Sequence, residues 1–245
     1  MEPIFPYVSD AGASPPQASY FSMSLDLVAV LGIHKQKKSA FFAIITKIHL
    51  LCFPSSVFLT AIARFRQLRY LIHLNFVQVN HADASLENRL HCRNRIALLL
   101  SSSAALCLLA VGNFRTTESN RVHTTAAFAM FTLNLLYFSW QYRLSRSLFN
   151  RFGVESPPTT LLIFTLLGIV SYLICFAGST VSMVQFGEER FFADTSARMH
   201  WRPADPGYLA HVVGTVAEWV AINSIPLMYL CLCRRMRRFE RASKV

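Results

Sequence analysis

Four stretches of the chain, Ile96 to Val111, Ala126 to Trp140, Leu161 to Val184 and Tyr208 to Cys233, are apolar and almost free of charge. A helix needs about 20 such residues to cross bilayer hydrocarbon, so each stretch reads as a spanning helix. Inside lipid the backbone has only two solutions, the helix and the closed barrel, because no water is there to satisfy free N–H and C=O groups. The short alternating strands with a polar lumen face that a barrel requires are not seen. The expected fold class is therefore all-α, a multi-pass transmembrane helical bundle. Composition agrees: 53% of residues are hydrophobic, only 15% are charged and Phe occupies 20 positions, more apolar surface than one soluble core could hide.

Helices are expected near 96–112, 122–140, 160–184 and 209–233, preceded by a less regular apolar region over 21–63, for about five spans. The segments between them alternate in charge. Segment 64–95 carries Arg64, Arg66, Arg69, Arg89, Arg93 and Arg95; segment 141–159 carries Arg143, Arg146 and Arg151; the tail 234–245 carries Arg234, Arg235, Arg237, Arg238, Arg241 and Lys244. The positive-inside rule puts these three in the cytosol. Segments 113–121 and 185–207 dilute their arginines with Glu118, Glu188, Glu189, Asp194 and Asp205, and residues 1–20 hold no Lys or Arg, which assigns all three to the exoplasmic side. The organisation expected is an exoplasmic segment 1–20, a bundle over 21–233 and a basic cytosolic tail, with no cleavable signal peptide. The net charge of +11 lies between the apolar runs rather than on one soluble face, which favours membrane lipids over nucleic acid as partners. The six cysteines show no C-x-x-C pairing, so neither a zinc site nor a disulfide framework is expected.

Several polar residues are costly where they stand. Glu218 lies roughly 14 Å into the last helix, where an ionised carboxylate needs a partner or water. His211, Thr215 and Glu218, at i, i+4 and i+7, share one helical face, and His123, Ala127, Met130 and Asn134 share a face of helix 122–140. A polar interface between these two helices is expected. It reads either as a proton-sensitive or headgroup-binding pocket, since His titrates near the pH of acidic organelles, or as interhelical hydrogen bonding that only holds the bundle together. Asp26, in the apolar stretch after Pro15 and Pro16, needs a partner such as His123 or Asn113 if buried. Cys231 and Cys233 beside Arg234 and Arg235 suit palmitoylation and attraction to anionic headgroups, or plain anchoring at a helix end. There is no H-E-x-x-H, G-x-S-x-G, P-loop or dinucleotide fingerprint, so no catalytic constellation, metal or cofactor is assigned.

The opening Pro3-Ile4-Phe5-Pro6-Tyr7-Val8-Ser9-Asp10-Ala11-Gly12, followed by Pro15-Pro16, resembles the first exoplasmic loop of the DRAM (damage-regulated autophagy modulator) family. Gly112-Asn113-Phe114 with Val122-His123, and His211-Val212-Val213 leading to Ala217-Glu218-Trp219, resemble later signatures of that family in the same order. The resemblance implies a non-enzymatic multi-pass protein of an endomembrane, lysosomal first, that modulates autophagy. The wider superfamily, with GPI-anchor remodelling factors and proteins that recruit a phosphoinositide kinase, implies two alternatives: a lipid-remodelling factor and a scaffold acting through its basic cytosolic face. Golgi and plasma membrane are the corresponding alternative locations. Asp10 is singled out only by this resemblance; an Asx-type turn before Gly12 accounts for it equally.

Two departures from the family stand out. Its members carry a hydrophobic helix before the Pro-Tyr-x-Ser-Asp motif, whereas this chain starts at the motif, which leaves five of six helices. Phe21 to Gly32 is too short to span and runs into His34-Lys35-Gln36-Lys37-Lys38. Omitting 33–56 joins it to Val57–Ala63 as one span ending in Arg64-Phe65-Arg66, so 33–56 reads as an insertion. With the insertion in place, the best span is Ala40 to Ala63, interrupted by Lys47, His49 and Pro54.

Overall fold

The computed structural model describes residues 53–78, 84–114, 116–153, 157–193 and 201–242. The motif Pro6, Tyr7, Ser9, Asp10, Gly12, Pro15, Pro16, together with Asp26 and residues 33–52 of the suspected insertion, lies outside them. Among the described residues six helices follow in order: α1 Phe53–Gln78, α2 Ala84–Asn113, α3 Thr116–Phe152, α4 Thr159–Phe186, the short α5 Glu188–Ala193, and α6 Tyr208–Ala242. Among the described residues there is no strand.

Helix α4 identifies the solvent. Its buried positions are mostly small or polar, including Thr165, Gly168, Ser171, Cys175, Gly178 and Ser182. Its exposed positions are large and apolar: Ile163, Leu166, Val170, Leu173, Phe176, Val181 and Val184. Water would reverse this arrangement, whereas hydrocarbon selects it, because large apolar side chains gain nothing by leaving lipid and small ones let helices approach closely. The chain is an integral, multi-pass membrane protein. Three segments, Ala84–Asn113, Thr159–Phe186 and Tyr208–Arg237, are long and apolar enough to cross by length and composition alone. Helix α3 is more polar, yet it packs along α2, so it traverses the same slab.

The main seam is between α4 and α6. A Cβ built on Gly178 would stand 2.9 Å from both the Ala210 carbonyl oxygen and Gly214 Cα, and one on Gly214 would stand 3.1 Å from Ser179 N. These two backbones touch, and only glycine permits it. The central core gathers Met130, Phe131, Leu135, Tyr137 and Phe138 of α3 against Ala221, Ile225, Met228 and Tyr229 of α6, with Ala97 and Ala105 of α2 and Leu161 of α4.

The helices overrun the expected boundaries at the end where the arginines collect. Residues 64–95 are not a loop: α1 continues to Gln78 and α2 begins at Ala84. The cause is a second core, in which Leu68, Leu71, Ile72 and Phe76 meet Leu90 of α2 and Leu144 and Leu148 of α3. That i, i+3, i+4, i+8 spacing is one helical face. Arg64, expected on a solvated segment, is fully buried on α1. Its Nη1 donates to Gln67 Oε1 (2.6 Å), Nη2 to Ser145 Oγ (2.9 Å) and Nε to Gln141 Oε1 (3.5 Å), so its planar fork of donors is met by side chains of α1 and α3. Asn94 Nδ2 donates to the Phe65 carbonyl (2.8 Å) and Trp140 Nε1 to the Arg93 carbonyl (3.1 Å), fastening α1 to α2 and α2 to α3 at the same level.

Two substitutions separate lipid contact from helix contact. Val170→Arg, on the exposed middle of α4, is expected to cost about 2.5–3.5 kcal/mol of insertion free energy and to lower the membrane-inserted fraction in a translocation assay. Gly178→Leu leaves insertion intact but forces α4 from α6, for a loss of about 1–3 kcal/mol read as a lower Tm in detergent. An unchanged Tm would mean that the seam opens without cost.

Candidate functional site

The far end of the bundle, away from the arginines, holds a cavity shaped by a break in α3. Ser119 adopts φ −145°, ψ 70°, which separates an initial turn at Thr116 from the long helix that follows. This fold-back brings the Phe114 carbonyl 2.6 Å from His123 Nδ1. A carbonyl oxygen only accepts, so Nδ1 carries a proton, and in the corresponding neutral tautomer Nε2 is left as an acceptor. His123 is 7% exposed, and Nε2 is buried without a hydrogen-bond partner. One turn earlier, Thr124 Oγ1 donates to Asn120 Oδ1 (3.1 Å), which leaves Asn120 Nδ2 as a buried donor with no acceptor. Thr116 Oγ1 is in the same condition.

All three residues line one cavity of about 120 Å³. Helix α3 adds Ala127, Phe128 and Phe131; α4 adds Cys175, Ser179, Thr180 and Met183; α6 adds Glu218; α5 adds Phe191 and Phe192. The seam at Gly178 and Gly214 sets the position of Ser179 relative to Glu218, so packing fixes this wall. Gly187, at φ 97°, reverses the chain out of α4 so that α5 closes the end. A small aromatic core of Phe186, Phe191 and Trp201 backs α5, with Phe186 and Trp201 ring centroids 4.4 Å apart. Outside lies a shallower basin lined by Ser119, Asn120, Arg121, Glu189 and Phe192; the Arg121 guanidinium sits 5.5 Å from the Phe192 ring centre.

The polar residues singled out in the sequence divide into three groups. His123 and Glu218 both line the cavity. Asn134 does not: its Oδ1 accepts from the Tyr229 hydroxyl (3.1 Å), whose oxygen lies 3.3 Å from Ser101 Oγ, a buried network tying α2, α3 and α6. His211, 2% exposed, stacks on Trp201 with centroids 4.3 Å apart and belongs to the aromatic core behind α5. Thr215 is buried and bonds back to the Val212 carbonyl of its own helix (2.9 Å). Asn113 is exposed and bonds to the Leu109 carbonyl (2.7 Å). At the opposite end Cys231 is packed into the central core, while Cys233 is half-buried. Sequence reasoning missed Thr116, Asn120, Phe191 and Phe192. Thr116 and Asn120 fell in a presumed loop, and only the break at Ser119 turns them inward; the adjacent Phe191-Phe192 pair was a visible sign of a buried cap.

Tyr229→Phe removes the shared hydroxyl and strands Asn134 Oδ1 in the core, so the purified protein is expected to lose about 1–3 kcal/mol of stability. The cavity is expected to keep its shape, since none of Ser101, Asn134 and Tyr229 lines it. A Tm unchanged within error would take Asn134 out of the scaffold.

A lipid-facing exterior, buried polar networks between helices and a part-polar cavity near one end define a multi-pass helical membrane protein with an internal site. The family model described as the Frag1/DRAM/Sfk1/Cwh43P N-terminal domain matches residues 1–236, and the chain belongs to that family. It is 27% identical over 219 residues to DNA damage-regulated autophagy modulator protein 2 of Rattus norvegicus, a match covering 89% of this chain and 67% of the relative. The Homo sapiens protein of the same name is 26% identical over 220 residues, with the same coverage of each chain. DNA damage-regulated autophagy modulator protein 1 of Xenopus laevis is 22% identical over 237 residues, covering 95% of this chain and 77% of its own length. No solved structure matches.

Proposed function

We propose that this chain is a non-enzymatic modulator of autophagy in the lysosomal membrane, with its arginine-rich end in the cytosol and its cavity toward the lumen. The observation that carries the reading is the match over 89% of the chain to proteins named as autophagy modulators. The orientation is supported by charge: Arg64, Arg66 and Arg69 of α1, the start of α2 and the ends of α3 and α6 bring arginines to one side, which the positive-inside rule assigns to the cytosol. On that side anionic lipid headgroups are natural partners of the basic tail, and Cys231 and Cys233 beside it are the candidate acylation sites.

A second reading, a lipid-headgroup remodelling factor, is favoured by one specific observation: His123 and Glu218, an imidazole and a carboxylate, line the same cavity. Such a pair suits proton handling.

The expected outcome for a tagged full-length chain is overlap with lysosomal markers and protease access to a C-terminal tag from the cytosolic side. Golgi or surface location would shift the reading to remodelling or to kinase recruitment. Replacing His123 and Glu218 together by Gln is expected to leave the protein correctly located and to impair autophagic flux. Disappearance of the protein itself would instead make the pair structural glue.

A further inference from the structure

We propose that the cavity between α3, α4 and α6 holds the head of an uncharged lipid bearing a free hydroxyl, a sterol or a diacylglycerol, whose apolar body leaves toward the bilayer beside Thr180. The inference rests on the membrane-protein reading above and deepens it by naming a ligand class.

Hydrogen-bond arithmetic selects the head. His123 Nδ1 is committed to the Phe114 carbonyl, so in the neutral tautomer Nε2 asks for a donor; Asn120 Nδ2 asks for an acceptor; and Thr116 Oγ1 serves as either. An alcohol gives one hydrogen and accepts one, and so meets Nε2 and Nδ2 at once. An anion is disfavoured by the lone pair that Nε2 presents in that tautomer. Leaving such atoms unmet is costly, which makes an occupant of this polarity favourable.

Shape and surroundings select the body. A volume of about 120 Å³ takes the polar end and the first few carbons of a lipid, not a whole one. Ala127, Phe128, Phe131 and Met183 supply an apolar wall around the polar atoms, which suits an amphiphile better than water alone. Thr180 lines the cavity and is also exposed on α4, with Phe176, Val181 and Val184 exposed around it. The mouth therefore opens on the lipid-facing surface rather than only toward the aqueous side.

The test uses the purified full chain in phosphatidylcholine nanodiscs with photoreactive, alkyne-tagged sterol and diacylglycerol probes. Saturable labelling is expected, mapping to peptides of α3 or α4 that line the cavity, with competition by the unlabelled alcohol. The methyl ether of the competing alcohol, which accepts but cannot donate, is expected to compete about tenfold less well, as one lost hydrogen bond implies. Asn120→Leu should weaken labelling about as much. Ala127→Trp, which fills the space and keeps every polar group, should abolish it while leaving Tm within a few degrees. Competition by one alcohol and not the other names the source, and either result supports the proposal. It is overturned by unsaturable labelling, by equal competition from the methyl ether or from added phosphatidylcholine, or by labelling that survives Ala127→Trp. Because binding is read in nanodiscs, a location other than the lysosome would defeat the proposed function and leave this inference standing.

Discussion

The contact of two backbones at Gly178 and Gly214 sets the geometry from which the other features follow. In lipid there is no hydrophobic reward for burying large side chains, so close approach and dispersion take over as the attraction between helices. Helix α4 accordingly turns Gly168, Ser171, Cys175, Gly178 and Ser182 inward and leaves its bulky aliphatic residues outside. The approach of α4 to α6 in turn brings Cys175 and Ser179 toward Glu218 and makes one wall of the cavity.

The two ends of the bundle solve the polar problem differently. At the arginine-rich end the helices are tied to one another by side chains: Arg64 meets Gln67, Gln141 and Ser145, and Asn94 and Trp140 donate to carbonyls of neighbouring helices. A buried guanidinium is tolerated there because several neutral acceptors share its charge. At the far end Thr116, Asn120 and His123 each keep one polar atom unmet beside an open volume. Buried atoms without a hydrogen-bond partner occur at both ends, Gln67 Nε2 and Asn94 Oδ1 among them, and what marks the site is that those of Thr116, Asn120 and His123 share one open volume. The Ser101–Tyr229–Asn134 network lies between them and belongs with the scaffold.

Much of the architecture was legible in the apolar runs. The expected spans near 96–112, 122–140, 160–184 and 209–233 all fall inside helices. The misplaced boundaries share one cause. Charge was read as the end of a helix, whereas a helix leaving the membrane keeps going while one face stays apolar, as Leu68, Leu71, Ile72 and Phe76 do below Arg64. The helical-face argument for His211, Thr215 and Glu218 succeeded only as geometry. Three residues on one stripe of a long helix sit at different depths, and each meets a different neighbour: Trp201 for His211, its own backbone for Thr215, the cavity for Glu218.

What the amino-acid sequence determined by itself was the solvent, the all-helical class and the cost of placing His123 and Glu218 among apolar residues, because these depend on composition and periodicity along the chain. Tertiary structure alone decided which polar groups share a space. The break at Ser119 turns Thr116 and Asn120 inward and commits one nitrogen of His123, and helix α5 brings Phe191 and Phe192 over the same volume. The physical reason is that hydrogen-bond satisfaction is settled by distances between chain segments remote in sequence, and no local pattern encodes them.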